Sequence, residues 1–357
     1  MAYAVVGAVT LAIGVAIGVR VNRAETPHGP ALNVMVLGDW GRRGEHGQGA
    51  VAAAMGRVAD RVPPEFVIST GDNFYPSGLR GPGDALNFRG SFTGVYTAPS
   101  LQVPWHAVLG NHDYGDGDHA GEPEGVACAL YEGTCRGVGT ADECCYSMAH
   151  QLLPAWRDVD PRWHAYRSAT LAPEAMRGEV EFFLYDTSPV VAADEYAEDP
   201  WYDGSGPDSL SRQSGALSLA ELDARLAASR ARWKVVVGHH PVYSRAGHGD
   251  TPALVKGVEP MLRKHGVALY MNGHDHAMQF LTKDGVAYLT SGAGSKLGEV
   301  TGEAPAEGSG QYAAAENGFA LLQISDREGI RVEIYGVEDD SPVFVSVLRA
   351  PPAPAGA

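Results

Sequence analysis

The sequence predicts an α/β fold, and three observations lead to it. Five short apolar runs each lead into a glycine: Val34-Met35-Val36-Leu37, Phe66-Val67-Ile68, His106-Ala107-Val108-Leu109, Val235-Val236-Val237 and Ala268-Leu269-Tyr270-Met271. Apolar runs of that length bounded by glycine read as buried strands. Helical spacing falls between them, with Ala50, Val51, Ala54, Met55 and Val58 on one face and Leu219, Leu222 and Leu226 on another. Past the strand ends stand five polar motifs: Gly38-Asp39-Trp40-Gly41, Gly71-Asp72-Asn73-Phe74-Tyr75, Gly110-Asn111-His112-Asp113, Gly238-His239-His240-Pro241 and Gly273-His274-Asp275-His276. Layered α/β folds build their sites at such strand ends.

The elements follow in order. Residues 20–30, with Pro27, Gly29 and Pro30, read as a linker. Strand 33–37 leads through the Asp39 loop to the first helix, strand 66–70 to the Asp72 loop, and a third strand ends at Leu109 before Asn111. The stretch 114–145 is rich in Gly, Asp and Glu and carries all four cysteines, so it reads as an inserted loop. Glu181 to Asp186 reads as a strand. Ser188 to Ala216 holds six acidic residues and one basic residue among Pro, Gly and Ser, and reads as an exposed loop. A helix over Leu217 to Arg230 leads to strand 234–238, and further strands are predicted at 286–290, 319–324, 330–335 and 343–348. Residues 351–357 read as a disordered tail.

Composition bounds the function. With 45% hydrophobic and 20% charged residues, the chain is ordinary for a globular protein. Its formal charge of −16, from 27 basic and 43 acidic residues without a dense basic cluster, argues against nucleic acid as a partner. Ala2 to Val19 is eighteen residues without a charge, followed by Arg20 and Arg23. A helix of that length roughly reaches across a thin bilayer of about 27 Å, so residues 1–24 read as a signal peptide or a signal anchor. No Lys or Arg precedes the apolar run, against a standard signal peptide. The following arginines oppose an outward-facing anchor. Cys128, Cys135, Cys144 and Cys145 lack a C-x-x-C spacing, so disulfides are favoured over zinc. Adjacent cysteines bond to each other only with strain. Two connectivities stay open, with Cys144 and Cys145 each paired to Cys128 or Cys135. Disulfides point to an oxidising compartment, hence to a secreted or lumenal protein, anchored by residues 2–19 if the leader is kept.

The five motifs carry the chemistry. Each alone has a plain reading: Asp39 as a helix N-cap, Asp72 as a turn former, Tyr75 as a half-buried tyrosine, His239 or His274 as a hydrogen-bonded core histidine. Together they gather Asp, Asn, Tyr and His at successive strand ends, which points to a polynuclear metal centre. Their order resembles the calcineurin-like metallophosphoesterases, and within them the small purple acid phosphatases of the mammalian tartrate-resistant type. Gly-Asp-Asn-Phe-Tyr at 71–75, Val237 to Ser244 with His248 behind it, and Gly273-His274-Asp275-His276 with Gln279 carry the narrower likeness. It runs from about Asn33 to Ser295 and fades beyond.

The resemblance implies a four-layer sandwich, two packed mixed β-sheets flanked by helices, in one catalytic domain over 25–350. It implies that Asp72 bridges two metals. Asp39, Tyr75 and His276 complete the first site, which suits Fe(III). Asn111, His239 and His274 complete the second, which suits Fe(II), Zn or Mn. A Tyr75 phenolate on Fe(III) would give the colour that names the family. His112 and His248 contact phosphate, His112 as a proton donor oriented by Asp113. His240 faces elsewhere. Gly292 and Gly294 let the backbone approach neighbouring loops. The acidic segment corresponds to a mobile loop over the site. The implied activity is hydrolysis of small phosphate monoesters by a monomer, with metal-held hydroxide attacking phosphorus in line. The alternatives are a phosphodiesterase or nucleotide pyrophosphatase on the same centre and, from a different class, a non-catalytic membrane-tethered binding protein. The last would have lost donors, and all seven are present.

Overall fold

The computed structural model describes residues 31–79, 83–115, 149–197, 210–302 and 310–349. Among the described residues fourteen strands form two seven-stranded sheets. The first is built from β1 (Ala31–Leu37), β2 (Phe66–Ser69), β3 (Trp105–Ala107) and β4 (Trp163–Ala165), and the second opens with β5 (Ser168–Leu171), β6 (Val180–Tyr185), β7 (Trp233–Val237) and β8 (Leu269–Asn272). The second sheet continues with β9 (Met278–Lys283), β10 (Val286–Ser291) and β11 (Tyr312–Ala314). The chain then returns to the first with β12 (Gly318–Ser325), β13 (Gly329–Gly336) and β14 (Phe344–Leu348). The spatial orders are β14-β13-β12-β1-β2-β3-β4 and β11-β9-β10-β8-β7-β6-β5. Both are mixed. β1 to β4 run parallel, as do β6, β7, β8 and β10, while the remaining pairings are antiparallel.

Strand periodicity explains the layers. Side chains alternate between the faces of a strand. On β1, Leu32, Val34 and Val36 enter the core between the sheets, with Ile68, Phe182, Val235 and Met271. Met35 and Leu37 face the other way, onto α1 (Gln48–Arg61) through Val51, Met55 and Val58. The outer face of the second sheet, with Phe183, Val236 and Tyr270, is covered by α2 (Ser188–Glu195), α3 (Gly215–Ala228), α4 (Pro252–Gly257) and α5 (Glu259–Lys264), through Val191, Leu222, Leu254 and Leu262. Strands buried on both faces must be apolar throughout, which is why the motif-bearing strands read as continuous runs. Each fully buried aliphatic contributes on the order of 1.5–3 kcal/mol, so three such clusters make a firm scaffold without help from the site.

Several expectations are corrected. Ala50 is exposed, and the buried face of α1 is completed by Ala52 and Ala59 instead. The acidic segment 188–216 is not simply a loop. It opens as α2, which buries Val191 and Ala192 against the second sheet, and its end is already inside α3. Pro189 in the first turn fits a helix start, because its missing N–H would be unbonded there anyway. Four of the six acidic residues, and the 116–148 part of the cysteine-bearing segment with all four cysteines, lie outside the described residues, as do the leader and the tail. Tyr114, at the start of that segment, is buried. β4, β5, β9 and β11 were not foreseen. Among the described residues no helix is long and apolar enough to cross a membrane.

Candidate metal centre

The parallel strands β1, β2 and β3 end on the same edge as β7 and β8, and the five motifs follow those ends. Backbone geometry there is unusual. Asp39, Asp72 and His274 all have positive φ, at 60°, 51° and 68°, a conformation that costs energy for a residue with a Cβ and collects at functional sites. The loops also approach more closely than side chains would allow. A Cβ on Gly110 would lie 2.1 Å from Asp72 Oδ1, and one on Gly273 would lie 2.2 Å from Asp39 Oδ2. Gly292 and Gly294 meet the same limit against Asp275 O and Gly38 O, as expected.

All seven predicted donors converge. Tyr75 Oη lies 2.8 Å from Asp72 Oδ2, 3.3 Å from Asp39 Oδ1 and 3.1 Å from His276 Nε2. His276 Nε2 is 3.5 Å from Asp39 Oδ1. On the other side, Asn111 Oδ1 lies 3.0 Å from both His239 Nε2 and His274 Nδ1. His239 Nε2 is 3.3 Å from Asp72 Oδ1. Asp72 therefore presents one oxygen to each group. Asp39, Asp72, His239 and Asn111 are essentially buried, and Tyr75 and His274 nearly so.

This donor set fits metal ions. His239 Nδ1 donates to the Thr70 carbonyl at 2.8 Å, so in the neutral ring Nε2 carries a lone pair. Among the described residues that lone pair meets two oxygen acceptors, Asn111 Oδ1 and Asp72 Oδ1. Acceptor facing acceptor in a buried place calls for a cation between them. Burial disfavours a charge on His239, yet Asp72 and Asp39 hold its pKa above the ordinary histidine value. Burial would likewise raise the Asp72 carboxyl, but His239, His112, the Tyr75 hydroxyl and His276 hold it at about 2. Tyr75 is pushed well above the usual phenol range by burial, Asp72 and Asp39. A phenolate there therefore needs a nearby ion of high charge. Burial and the neighbouring His240, His239, His248 and His112 keep His274 neutral, the form that donates to metal.

The surrounding groups divide into exposed and buried sets. His112 is partly exposed. Its Nδ1–H donates to Pro76 O at 2.6 Å, its backbone N–H donates to Asp72 Oδ1 at 3.0 Å, and its Nε2 lies 3.9 Å from Asp72 Oδ2. His248 is exposed, its ring centroid 4.2 Å from that of His274. His240 is buried with both ring nitrogens hydrogen-bonded, to Thr187 Oγ1 and Tyr196 Oη at 2.7 Å each, and a ring nitrogen also lies within 4.8 Å of donor atoms of Glu195 and His274.

One assignment is overturned. Asp113 does not orient His112. Its carboxylate accepts from the backbone of Gly110, Asn73 and Phe74 and from the side chains of Asn73 and Gln151. It locks the Asp72 loop to the Asn111 loop, and His112 takes its orientation from the Pro76 carbonyl. Sequence reasoning also passed over Asp275, which accepts from the backbone N–H of His248 and from Ser244 Oγ. It missed Thr187, whose hydroxyl accepts from the backbone of His239 and His240. The Asp in Gly-His-Asp-His was a visible signal, whereas Thr187 stood in no motif.

Comparison with known proteins shows the family. The calcineurin-like phosphoesterase family model matches residues 32–278. Purple acid phosphatase 17 of Arabidopsis thaliana is 41% identical over 271 residues, covering 74% of this chain and 69% of its own length. Tartrate-resistant acid phosphatase type 5 of Oryctolagus cuniculus is 31% identical over 324 residues, covering 84% and 86%. The plant sequence is thus nearer than this mammalian one, a refinement of the expected likeness. Among solved structures, GAP50, the anchor in the inner membrane complex of Plasmodium, superposes with a TM-score of 0.66 at 20% identity over 90% of this chain and 89% of that one, which speaks for the fold alone. On the family match and the relatives, the chain belongs to the calcineurin-like phosphoesterases and, within them, to the purple acid phosphatases.

Proposed function

We propose that this chain is an acid phosphatase that hydrolyses small phosphate monoesters at a dinuclear, iron-containing centre. In this reading Asp72 is shared, Asp39, Tyr75 and His276 hold a trivalent iron, and Asn111, His239 and His274 hold a divalent ion. The observation that carries it is the buried His239 Nε2 lone pair facing Asn111 Oδ1 and Asp72 Oδ1. When bound, two such ions act as Lewis acids on phosphoryl oxygens and lower the pKa of water.

The chain's own residues do the rest. With Nδ1–H tied to Pro76 O, His112 can hold its second proton only on Nε2, beside the donor cluster. It gives that proton to the departing alkoxide oxygen. The exposed His248 holds a phosphoryl oxygen. The buried Asp113 network keeps the Asp72 and Asn111 loops at fixed separation, so the donors need no rearrangement during turnover. The uncharged leader and the clustered cysteines support passage through the secretory route, with the domain spanning 25–350.

The test is a panel of monoesters, diesters and pyrophosphates with metal content measured alongside. The expected result is fastest turnover of monoesters. Faster turnover of diesters or pyrophosphates at full metal occupancy would overturn the substrate assignment.

A further inference from the structure

Tyr75 has a neighbour that the metal assignment does not use. The guanidinium carbon of Arg42 lies 3.4 Å from the centroid of the Tyr75 ring. The stack is held from several sides. Arg42 Nε donates to Ser295 Oγ at 3.2 Å, and Ser295 Oγ–H in turn donates to the Asp39 carbonyl. Arg42 N–H donates to Oε1 of the buried Gln48 at 3.1 Å, and Tyr75 N–H donates to Gly41 O at 3.0 Å. The loop after β1 thus carries Asp39 and, three residues on, a cation over the face of the phenol that meets Asp39.

Arginine suits that place. Its charge is permanent and spread over a plane that stacks on aromatic faces. Over a neutral phenol the stack is a modest attraction. Over a phenolate it is an ion contact in a low-dielectric setting, where charges act more strongly than in water.

We propose that Arg42 is a positioning residue that sets the electron-donating power of the Tyr75 phenolate toward the trivalent ion. This rests on the reading that Tyr75 binds iron as a phenolate. The guanidinium lies against the ring, where the donor electrons are, whereas an ion held by Tyr75 would lie beyond Oη. It therefore lowers the energy of the ring electrons more than that of the empty metal orbitals. The gap between them widens, and the visible charge-transfer band lies at shorter wavelength than it would without Arg42. The same charge weakens phenolate donation and so favours the reduced ion.

The test is the visible spectrum and reduction midpoint of resting, substrate-free enzyme, wild type against Arg42→Gln, with metal content measured in both. With both metals retained, Arg42→Gln should show the band moved to longer wavelength and a lower midpoint. A staple or a substrate-binding residue would move neither. If Arg42→Gln fails to hold both metals, Arg42→Lys decides. Its ammonium cannot lie flat on the ring, so its band should fall to longer wavelength than the wild type. A band that stays in place in the metal-loaded variant overturns the role of Arg42 alone. Iron-loaded wild type without any visible band overturns instead the Tyr75 reading beneath it.

Discussion

The two sheets bring different chemistry to one place. Among the described residues, the donors assigned to the loops after β1, β2 and β3 in the first sheet are all oxygens, from Asp39, Asp72, Tyr75 and Asn111. Those assigned to the loops after β7 and β8 in the second are all nitrogens, from His239, His274 and His276. In the proposed assignment each metal takes oxygens from one sheet and at least one imidazole from the other, so each ion ties the sheets together at the edge where the apolar core ends. The apolar core positions the donors, and the donors decide the chemistry.

The largest break of this comparison is Asp72→Asn, since Asp72 presents an oxygen to both groups. It should lose both metals and essentially all activity. Elemental analysis that finds two metals per chain in this variant would contradict the shared role. Next come variants that attack one sheet at a time. Tyr75→Phe, from the first sheet, should remove the visible colour while sparing much of the activity. His274→Ala, from the second, should deplete the divalent ion and leave coloured iron behind. Equal loss of both metals in the two variants would show that the donors do not divide between two separate sites as assigned.

His112→Ala sharpens the boundary between holding metal and moving protons. It should lower turnover by about 10²–10⁴-fold with metal content unchanged. The loss should shrink for esters with good leaving groups, which need little protonation. Equal losses for good and poor leaving groups would make His112 a phosphate binder and no proton donor.

The smallest effect lies away from the centre, on β3 of the first sheet. Burial and the neighbouring His164 push the His106 ring from the ordinary histidine value down to about 4. The folded chain keeps this ring neutral while the unfolded chain protonates it. Its stability contribution is therefore full above pH 6.5 and is lost as pH falls towards 4, on the order of 3 kcal/mol. His106→Phe should flatten that loss in thermal or denaturant unfolding, whether or not metal is bound. An unchanged pH profile would show that His106 is not the group responsible.

Much of this was legible in the sequence because burial on both faces forces strands to be apolar, and because ligand chemistry is local. Asp39, Asp72, Asn111 and the three histidines each follow their strand directly. What stayed hidden depends on distant partners. Thr187 reaches His239 and His240 across 52 and 53 residues. Arg42 meets Tyr75 across a loop, with no periodicity to betray it. Asp113 was misread because its sequence neighbour His112 is not its spatial partner. Helix α2 was misread because its acidic surroundings resemble a loop, while its anchoring Val191 and Ala192 are too few to show a pattern.

The central claim is that oxygen donors from one sheet and nitrogen donors from the other close on two metal ions. The most direct measurement is elemental analysis of the purified wild-type chain together with its visible spectrum. The expected result is two metal ions per chain, at least one of them iron, with a visible band. A single metal per chain, or two irons without visible absorption, would contradict the account.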